Sequence, residues 1–447
     1  MKGDFTRDTF DARKHFSRVL MQQGRVQLDA DFNEQASILL HYIQTLAADL
    51  IGPYGGPQHG SGFKIGNLTN GDFEIGTGRY YVDGILCEND DDTLTYRTQD
   101  GFANESRLDP AKTYFVYLDV WERHILPVQD DSIRESALGG PDTCTRAKVV
   151  WQVKAHEAVA GRAADCNGAT AWADGLSALS TGRLVAQVKP EGPITDACSL
   201  PPESRYRGLE NQLYRVEVHR GNVDAASIKP TFKWSRDNGT AVYPIASAQG
   251  ATVYLHDLGR DAHSLLRSDD WVEIVDDTTD LLGKAGALAQ VDMIDPVEMT
   301  VTLKQPYTTS PTWPSYIEND PRHPLLRRWD QRAMEGVTLD QGAVQFDPAN
   351  GAWIELESGV QVQFAPPADQ SPGIYRTGDY WLIPARAATG EIEWPAQRNA
   401  IGPSTALPQA ARGIRHHYAP LAVLAAGAVT SCRTCFSLTE QACADER

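Results

Sequence analysis

Cysteine and histidine side chains near the C-terminal end are of the types that bind zinc. Cys432 and Cys435 are two residues apart, with Cys443 after them and the pair His416 and His417 before them. Two cysteines at this spacing can hold zinc from one turn, but the other ligands lack the spacing of a second pair. Structural zinc, a disulfide, free thiols and links between subunits all remain open. For the histidines we favour packing at the entrance of a strand over a catalytic or metal-binding role.

Paired carboxylates are a second source of chemistry. Glu391, Glu393 and Trp394 place two acids and an indole on a predicted strand. Glycosidases use two carboxylates across a scissile bond, which makes a polysaccharide-degrading enzyme an alternative with these residues as its candidates. Spacing of i and i+2 is common by chance, so this hypothesis ranks third.

Acidic clusters occur along the chain, of which Asp276-Asp277-x-x-Asp280 is the best calcium candidate. None has the loop glycine and distal glutamate of a known cage, and we interpret most as solvated turns. The chain also lacks a nucleophile elbow, a P-loop, a dinucleotide fingerprint and a His-Glu-x-x-His motif. We assign no catalytic residue, no metal ligand and no cofactor, and expect that the protein is not an enzyme.

Composition narrows the class of partner. The 447 residues are 41% apolar and 22% charged, with a net charge of −18, which disfavours nucleic acid and anionic membrane surfaces. No apolar run is long enough to span a membrane, and the N-terminus has no apolar core typical of a secretion signal. We expect synthesis in the cytoplasm without a signal peptide, assembly into a particle, and an extracellular location after release.

The strongest structural signal is a helix predicted from Asp29 to Ile51, with Asp29 or Asp31 as its N-cap and Gly52-Pro53 ending it. Six apolar residues follow at spacings of 4, 3, 4, 3 and 4: Phe32, Ala36, Leu39, Ile43, Leu46 and Leu50. A stripe of this period suits packing against parallel copies of the same helix. Packing on the chain's own domain is the alternative.

The remainder of the chain has the period of β-strands. Residues 52–62 are rich in glycine and predict a flexible joint, and Asp83-Gly84 between apolar flanks predicts a hairpin or a bulge. An Asn-Gly turn at residues 236–239 predicts a hairpin between residues 231–235 and 241–245. Cys87 lies in an apolar run and is expected to be a buried thiol.

The predicted fold is mainly β, with an N-terminal α-helical, coiled-coil-like arm and several small antiparallel sandwich or barrel modules. Its domains are an oligomerisation and anchoring arm, a β module, an irregular insertion, a barrel-like module and a C-terminal β module with a cysteine-containing tail. In order they span residues 1–60, 61–155, 156–205, 206–310 and 311–447.

The first 35 residues, MKGDFTRDTFDARKHFSRVLMQQGRVQLDADFNEQ, resemble an uncharacterised bacterial family associated with phage-tail-like contractile injection systems. Residues 231–239, 270–274 and 413–422 continue the resemblance. A weaker resemblance, to phage baseplate and tail-fibre proteins, lies in residues 24–28, 33–34 and 81–84. This weaker resemblance implies a trimeric attachment-type particle protein with no catalytic residues to transfer.

The first hypothesis is therefore a homotrimeric structural component of such a particle, of the tail-fibre or baseplate-periphery type. Its expected partners are copies of itself, baseplate or sheath-proximal proteins, and a cell-surface glycan, with no nucleic acid and no membrane insertion. The six stripe residues are its predicted interface. A stand-alone carbohydrate-binding adhesin is the second hypothesis, and the polysaccharide-degrading enzyme is the third.

Overall fold

The computed structural model describes residues 1–101, 107–158, 163–176, 180–189, 205–223, 229–259, 264–304, 313–334, 336–349, 351–367, 371, 373–399 and 404–437. The described part of the chain is mainly β, with 38% of the described residues in strands and 13% in helices, which confirms the predicted class. Among these residues, we find no helix with the length and apolarity needed to span a membrane.

The helices and strands follow the chain in this order. Up to residue 189 they are α1 (Asp29–Ile51), β1 (Tyr54–Pro57), β2 (Gly78–Val82), β3 (Ile85–Asn89), β4 (Tyr114–Ile125), β5 (Arg146–Glu157), α2 (Cys166–Leu176) and β6 (Arg183–Val188). Up to residue 329 they are β7 (Gln212–Arg220), β8 (Thr231–Ser235), β9 (Val242–Gln249), β10 (Thr252–Leu255), β11 (Trp271–Val275), α3 (Asp277–Leu281), β12 (Ala287–Asp295), β13 (Thr300–Leu303) and β14 (Leu325–Trp329).

The last strands are shorter on average. They are β15 (Leu339–Asp340), β16 (Ala343–Gln345), β17 (Ile354–Glu355), β18 (Val360–Ala365), β19 (Tyr380–Arg386), β20 (Glu391–Ile392), β21 (Ala396–Gln397), β22 (Thr405–Ala406), β23 (Gln409–Ala410), β24 (His417–Ala425), β25 (Ala428–Ser431) and β26 (Cys435–Phe436). Single 3-10 turns span Ala12–Lys14, Asp131–Ile133 and Ser136–Leu138.

The chain divides into two compact units. Unit 1 comprises Met1–Asp8, Leu126–Thr145 and Ser180–Gly413. Unit 2 comprises Thr9–Ile125, Arg146–Leu179 and Ile414–Arg447. The predicted insertion at 156–205 contributes the end of β5, α2 and β6 to these units, and its residues 190–204, Cys198 among them, lie outside the described residues.

Unit 1 contains a closed six-stranded barrel in the order β10-β13-β12-β11-β14-β9. Its interior is filled by apolar side chains that alternate along the strands, including Tyr243, Val272, Val291, Val301 and Leu326. A six-stranded sheet, β15-β16-β8-β7-β19-β20, shares a second core with the four-stranded sheet β17-β18-β6-β23. Small antiparallel sheets and a barrel are therefore present, as the alternating patterns predicted.

The hairpin predicted at residues 236–239 is wrong. Asn238 and Gly239 do take the positive φ values of an Asn-Gly turn, 55° and 68°. However, β8 pairs with β7 and β16, whereas β9 pairs with β10 and β14. The turn is held by residues distant in sequence. The side-chain amide of Asn238 donates to the Gly3 carbonyl at 2.8 Å, and the Arg327 guanidinium donates to the Gly239 carbonyl. The turn therefore leads from one sheet into another.

Unit 2 consists of the sheets β25-β24-β4-β5 and β26-β1-β2-β3, which share one apolar core. The hairpin predicted at Asp83-Gly84 is confirmed, because Val82 pairs with Ile85 and both turn residues have positive φ. Cys87 is fully buried in β3, as expected. The glycine-rich stretch expected to be a flexible joint contains β1, which pairs with β2 on one side and β26 on the other.

Helix α1 begins and ends where the apolar spacing predicts, at Asp29 and Ile51, and Gly52 terminates it with a φ of 90°. The predicted cap is wrong, since Leu28 occupies the N-cap position without a side-chain hydrogen bond. Asp29 and Asp31 instead lie in the first turn, where their charge interacts favourably with the helix dipole.

Candidate functional site

The predicted interface stripe of α1 faces solvent. Its five large side chains are each between 53% and 67% exposed, and its alanine is also exposed: Phe32, Ala36, Leu39, Ile43, Leu46 and Leu50. The neighbouring Leu40 and Tyr42 are exposed as well and widen the apolar strip on both sides. A contiguous apolar surface of this kind is unusual in a protein that works as a monomer.

The opposite side of α1 holds the helix on unit 2. Ala30 and Ile38 are each only 1% exposed. Glu34 accepts a hydrogen bond from the Thr9 hydroxyl at 2.6 Å, and the His41 ring lies 5.8 Å from that of Phe10. At about 100° of rotation per residue, the centre of this buried side lies roughly 160° around the helix from the stripe. Unit 2 therefore holds the helix without covering its stripe.

The segment before α1 extends the apolar surface. It lies beside the helix, since the Val19 amide donates to the Gln35 side chain at 2.8 Å. Its exposed apolar residues are Phe16, Leu20, Met21 and Val26. A cavity of about 220 Å³ opens between this segment and α1, with Phe10 and Ile38 in its wall.

Charge does not oppose contact between copies at this surface. None of the six stripe residues is ionisable, and the positions that would flank them in a coiled coil carry one charge, that of Asp49. Asp49 lies in the last turn of the helix. Parallel copies would therefore bring few like charges together despite the net charge of −18.

The two histidines singled out from the sequence bind different carboxylates. His416 Nδ1 lies 2.7 Å from Asp119, whose other oxygen accepts from Lys154 at 2.6 Å, and His417 Nδ1 lies 2.7 Å from Asp83. Burial alone would raise the pKa of Asp119, but the hydrogen bonds and charges of His416 and Lys154 outweigh it and lower that pKa.

The His416 ring also stacks on Trp121, with 4.8 Å between ring centroids. Each histidine is thus paired with a neighbouring carboxylate, and His417 is the first residue of β24. Within the described ranges, no three His, Cys, Asp or Glu side chains converge as metal ligands would.

Of the two carboxylates suggested for glycosidase chemistry, Glu391 is exposed and Glu393 is held in ion pairs. Glu393 lies 3.1 Å from Arg7 and 2.7 Å from Arg386. Burial acts to raise the pKa of Glu393, but these two cations outweigh it and lower that pKa. A general acid at neutral pH needs a raised pKa, so the environment of Glu393 is opposite to the one that role requires.

The best calcium candidate serves as a helix cap. The Asp276 carboxylate accepts from the Thr279 amide at 2.8 Å and so caps α3. Asp277 lies 2.7 Å from His323 Nδ1. These carboxylates therefore bind neighbouring protein groups rather than converging on one point.

The five cysteines among the described residues are divided between a disulfide and free thiols. Cys432 forms a disulfide with Cys166 in α2. Cys87, Cys144 and Cys435 are free. The disulfide removes Cys432 from the zinc alternative, and Cys443 lies outside the described residues.

Sequence reasoning missed a buried ionic cluster in unit 1. Lys233 lies 2.5 Å from Glu273 and 3.3 Å from Glu217, and Lys2 lies 3.1 Å from Glu217. The Trp329 indole donates to Glu273 at 2.9 Å. One signal was available, because charged residues stand in the middle of runs that otherwise read as buried strands. Nothing local indicates that these charges meet.

The sequence model of one protein family matches the whole chain in two overlapping segments. A family described as one of unknown function, DUF6519, matches residues 1–179 and 164–447. The chain belongs to this family. No curated protein and no solved structure gives a significant match.

The two DUF6519 matches overlap at residues 164–179, which include all of α2. Family membership therefore extends over α1 and its exposed stripe as well as the ionic cluster of unit 1. The family has no assigned function, and the exposed stripe of α1 is the feature of this chain that bears most directly on one.

Proposed function

We propose that this DUF6519 chain is a homo-oligomeric structural component of a phage-tail-like contractile injection particle, of the tail-fibre or baseplate-periphery type. The observation that carries the proposal is the apolar stripe of α1, which faces solvent on the side away from unit 2. The sequence resemblances described above favour this class of particle. In this role α1 forms a coiled-coil arm that joins β-rich units and attaches them to baseplate or sheath-proximal proteins.

The occupant of the stripe is a parallel copy of the same helix, and we propose a trimer. The spacing of 4, 3, 4, 3 and 4 keeps the six residues in register over nearly three heptads, which a partner of different sequence would not require. Burying each large side chain contributes roughly 1.5–3 kcal/mol before the costs of ordering and association. Each helix supplies five such side chains to the contact.

The oligomer is tested by absolute mass, measured by light scattering after gel filtration of the full chain. We expect a trimer that falls to a monomer when Leu39 and Ile43 are both replaced by Asp. The matched control replaces Leu209 and Val297 by Asp, because these apolar residues of unit 1 are 101% and 85% exposed but lie outside α1. A monomeric full chain, or a double variant that stays trimeric, would refute the interface.

The particle is tested separately from the oligomer. Particles are sedimented from lysates of producing cells and probed with an antibody against the chain. We expect the chain in the particle fraction and expect the Leu39→Asp/Ile43→Asp variant to remain in the supernatant. A chain that oligomerises but does not sediment with particles would refute the particle role without refuting the oligomer. That result would favour the adhesin hypothesis.

A further inference from the structure

The C-terminal strand of unit 2 is attached to the base of α1. Strand β26 runs parallel to β1, with the Gly56 amide donating to the Thr434 carbonyl at 2.9 Å and the Gln58 amide donating to the Phe436 carbonyl at 3.0 Å. The Thr434 hydroxyl donates to the Tyr54 carbonyl at 2.7 Å. β26 therefore closes one edge of the sheet that contains β1.

The strand β1 follows α1 after only two residues, so its position sets where the helix leaves unit 2. A side-chain carbon placed on Gly55 would lie 3.0 Å from Ile51, the last residue of α1, and 3.6 Å from Phe436 in β26. The end of the helix, β1 and β26 thus pack at one point. A displacement of β26 would remove support from the base of the helix.

The disulfide lies next to this contact. Two residues separate Cys432 from β26. The disulfide between Cys432 and Cys166 therefore links the chain just before β26 to α2. β26 has only two residues, and a covalent tether raises the effective concentration of so short a strand at its site. Cys166 and Cys432 are both partly exposed, which lets a small thiol reach the bond.

We propose that the Cys166–Cys432 disulfide is a redox-sensitive latch that holds β26 against β1 and so fixes the base of α1. Reduction by a dithiol transfers two electrons and two protons to the bond, yielding two cysteine thiols and one oxidised, cyclic disulfide of the reductant. Oxidised glutathione reverses the reaction. The consequence for the direction of an assembled arm rests on the proposed function, whereas the latch itself does not.

Hydrogen exchange of the full chain, followed by mass spectrometry, tests the latch in oxidised protein and in protein held in dithiothreitol. We expect peptides that contain Gly56 and Gln58 to exchange at least tenfold faster after reduction, because both amides donate to β26 or its preceding residue. Peptides of the β2–β3 hairpin, which pair without β26, should keep their rates. Cys432→Ser and Cys166→Ser should behave as reduced protein under oxidising conditions, and the exposed, free Cys144→Ser as wild type.

Two results would overturn the latch. One is peptide mapping of the oxidised chain that finds no Cys166–Cys432 link, or finds Cys432 joined to Cys435 instead. The other is equal exchange at Gly56 and Gln58 in both redox states. Light scattering separates failure of the latch from failure of the proposed function. If the chain is a monomer but its exchange still depends on the redox state, the latch is supported and the oligomeric coiled-coil arm is refuted.

Discussion

The Lys2 ammonium lies 3.1 Å from the Glu217 carboxylate, across 215 residues of sequence, and anchors the first residues of the chain in unit 1. The Asn238 side chain adds a hydrogen bond to the Gly3 carbonyl at 2.8 Å. Further along, Arg7 lies 3.1 Å from Glu393. The predicted arm of residues 1–60 is therefore divided, because its first eight residues belong to unit 1 and the rest to unit 2.

Replacing Glu217 by Gln should destabilise unit 1 strongly. The substitution would leave the cations of Lys2, Arg215 and Lys233 without the carboxylate that they share. Breaking a buried ion pair from one side costs about 3–5 kcal/mol. Thermal unfolding monitored by tryptophan fluorescence checks this, since Lys233 lies 4.6 Å from the centre of the Trp329 ring.

Lys2→Met is the matched comparison for Glu217→Gln. It removes the cation that is 25% exposed and leaves Glu217 paired with Arg215 and Lys233, so we expect a loss of about 1 kcal/mol or less. If Lys2→Met lowered the unfolding temperature as much as Glu217→Gln, the carboxylate would not be the centre of the cluster.

Two buried side chains of unit 1 should each contribute one step to its loss of stability in acid. Burial, reinforced by Lys233, lowers the pKa of His219 from 6.5 to about 4. Between pH 6.5 and 4 the unfolded state therefore binds a proton at His219 that the native state does not bind. The stability that is present above pH 6.5 is lost as the pH falls towards 4. Burial acts to raise the pKa of Glu273, but Lys233 and Lys2 outweigh it and lower that pKa from 4.5 to about 2. A second loss follows between pH 4.5 and 2.

The first step is checked by denaturant unfolding from pH 8 to pH 3. We expect His219→Gln to flatten the decline between pH 6.5 and 4 while leaving the decline below 4.5 in place. His256→Gln, at an exposed histidine of unit 1, should keep both steps. An unchanged profile in the His219 variant would assign the first step to another group.

Helix α1 was predictable because its signals are local. The apolar spacing and the Gly52-Pro53 stop lie within the segment itself, and the structure places the helix at the predicted residues. Which side of the helix faces unit 2 is harder to predict from the sequence, because Ile38 and Leu39 are adjacent apolar residues of similar size. Ile38 is buried, whereas Leu39 is 53% exposed, because contacts made by Thr9 and Phe10 select one side.

The ionic cluster and the turn at Asn238 could not be predicted for the opposite reason. Each depends on partners hundreds of residues apart, such as Lys2 with Glu217, and each charge looks ordinary in its own strand. Asn238-Gly239 carries the local signal of a hairpin, but the Gly3 carbonyl and Arg327 direct the chain that follows into another sheet. The turn conformation at Asn238-Gly239 can therefore be predicted from the sequence, whereas the sheets that the two flanking strands join cannot.

Adjacent substitutions in α1 should separate folding from assembly. Ile38→Ala removes a buried side chain and should cost about 2–4 kcal/mol at every protein concentration. Leu39→Ala should leave the monomer's stability unchanged and weaken only the oligomer, which makes its effect depend on concentration. Unfolding curves at two protein concentrations a hundredfold apart check this. A concentration-independent loss in Leu39→Ala would place Leu39 against its own unit.

The seating of α1 on unit 2 can be tested at a single glycine. Gly84 has a φ of 77°, and a side-chain carbon there would overlap the Gln44 carbonyl of α1. Gly427 is a close match, because it follows Ala426 in the β24–β25 turn with a φ of 78° and has open space around it. Alanine at either position strains the backbone by about 1 kcal/mol.

The difference between the two glycine variants therefore reports contact with the helix. We expect Gly84→Ala to accelerate hydrogen exchange throughout α1 and to lower the unfolding temperature of unit 2 more than Gly427→Ala does. Gly427→Ala should leave exchange in α1 unchanged, because its added carbon meets no other atom within 4 Å. Equal effects of the two substitutions would mean that backbone strain alone accounts for the loss and that Gly84 does not position α1.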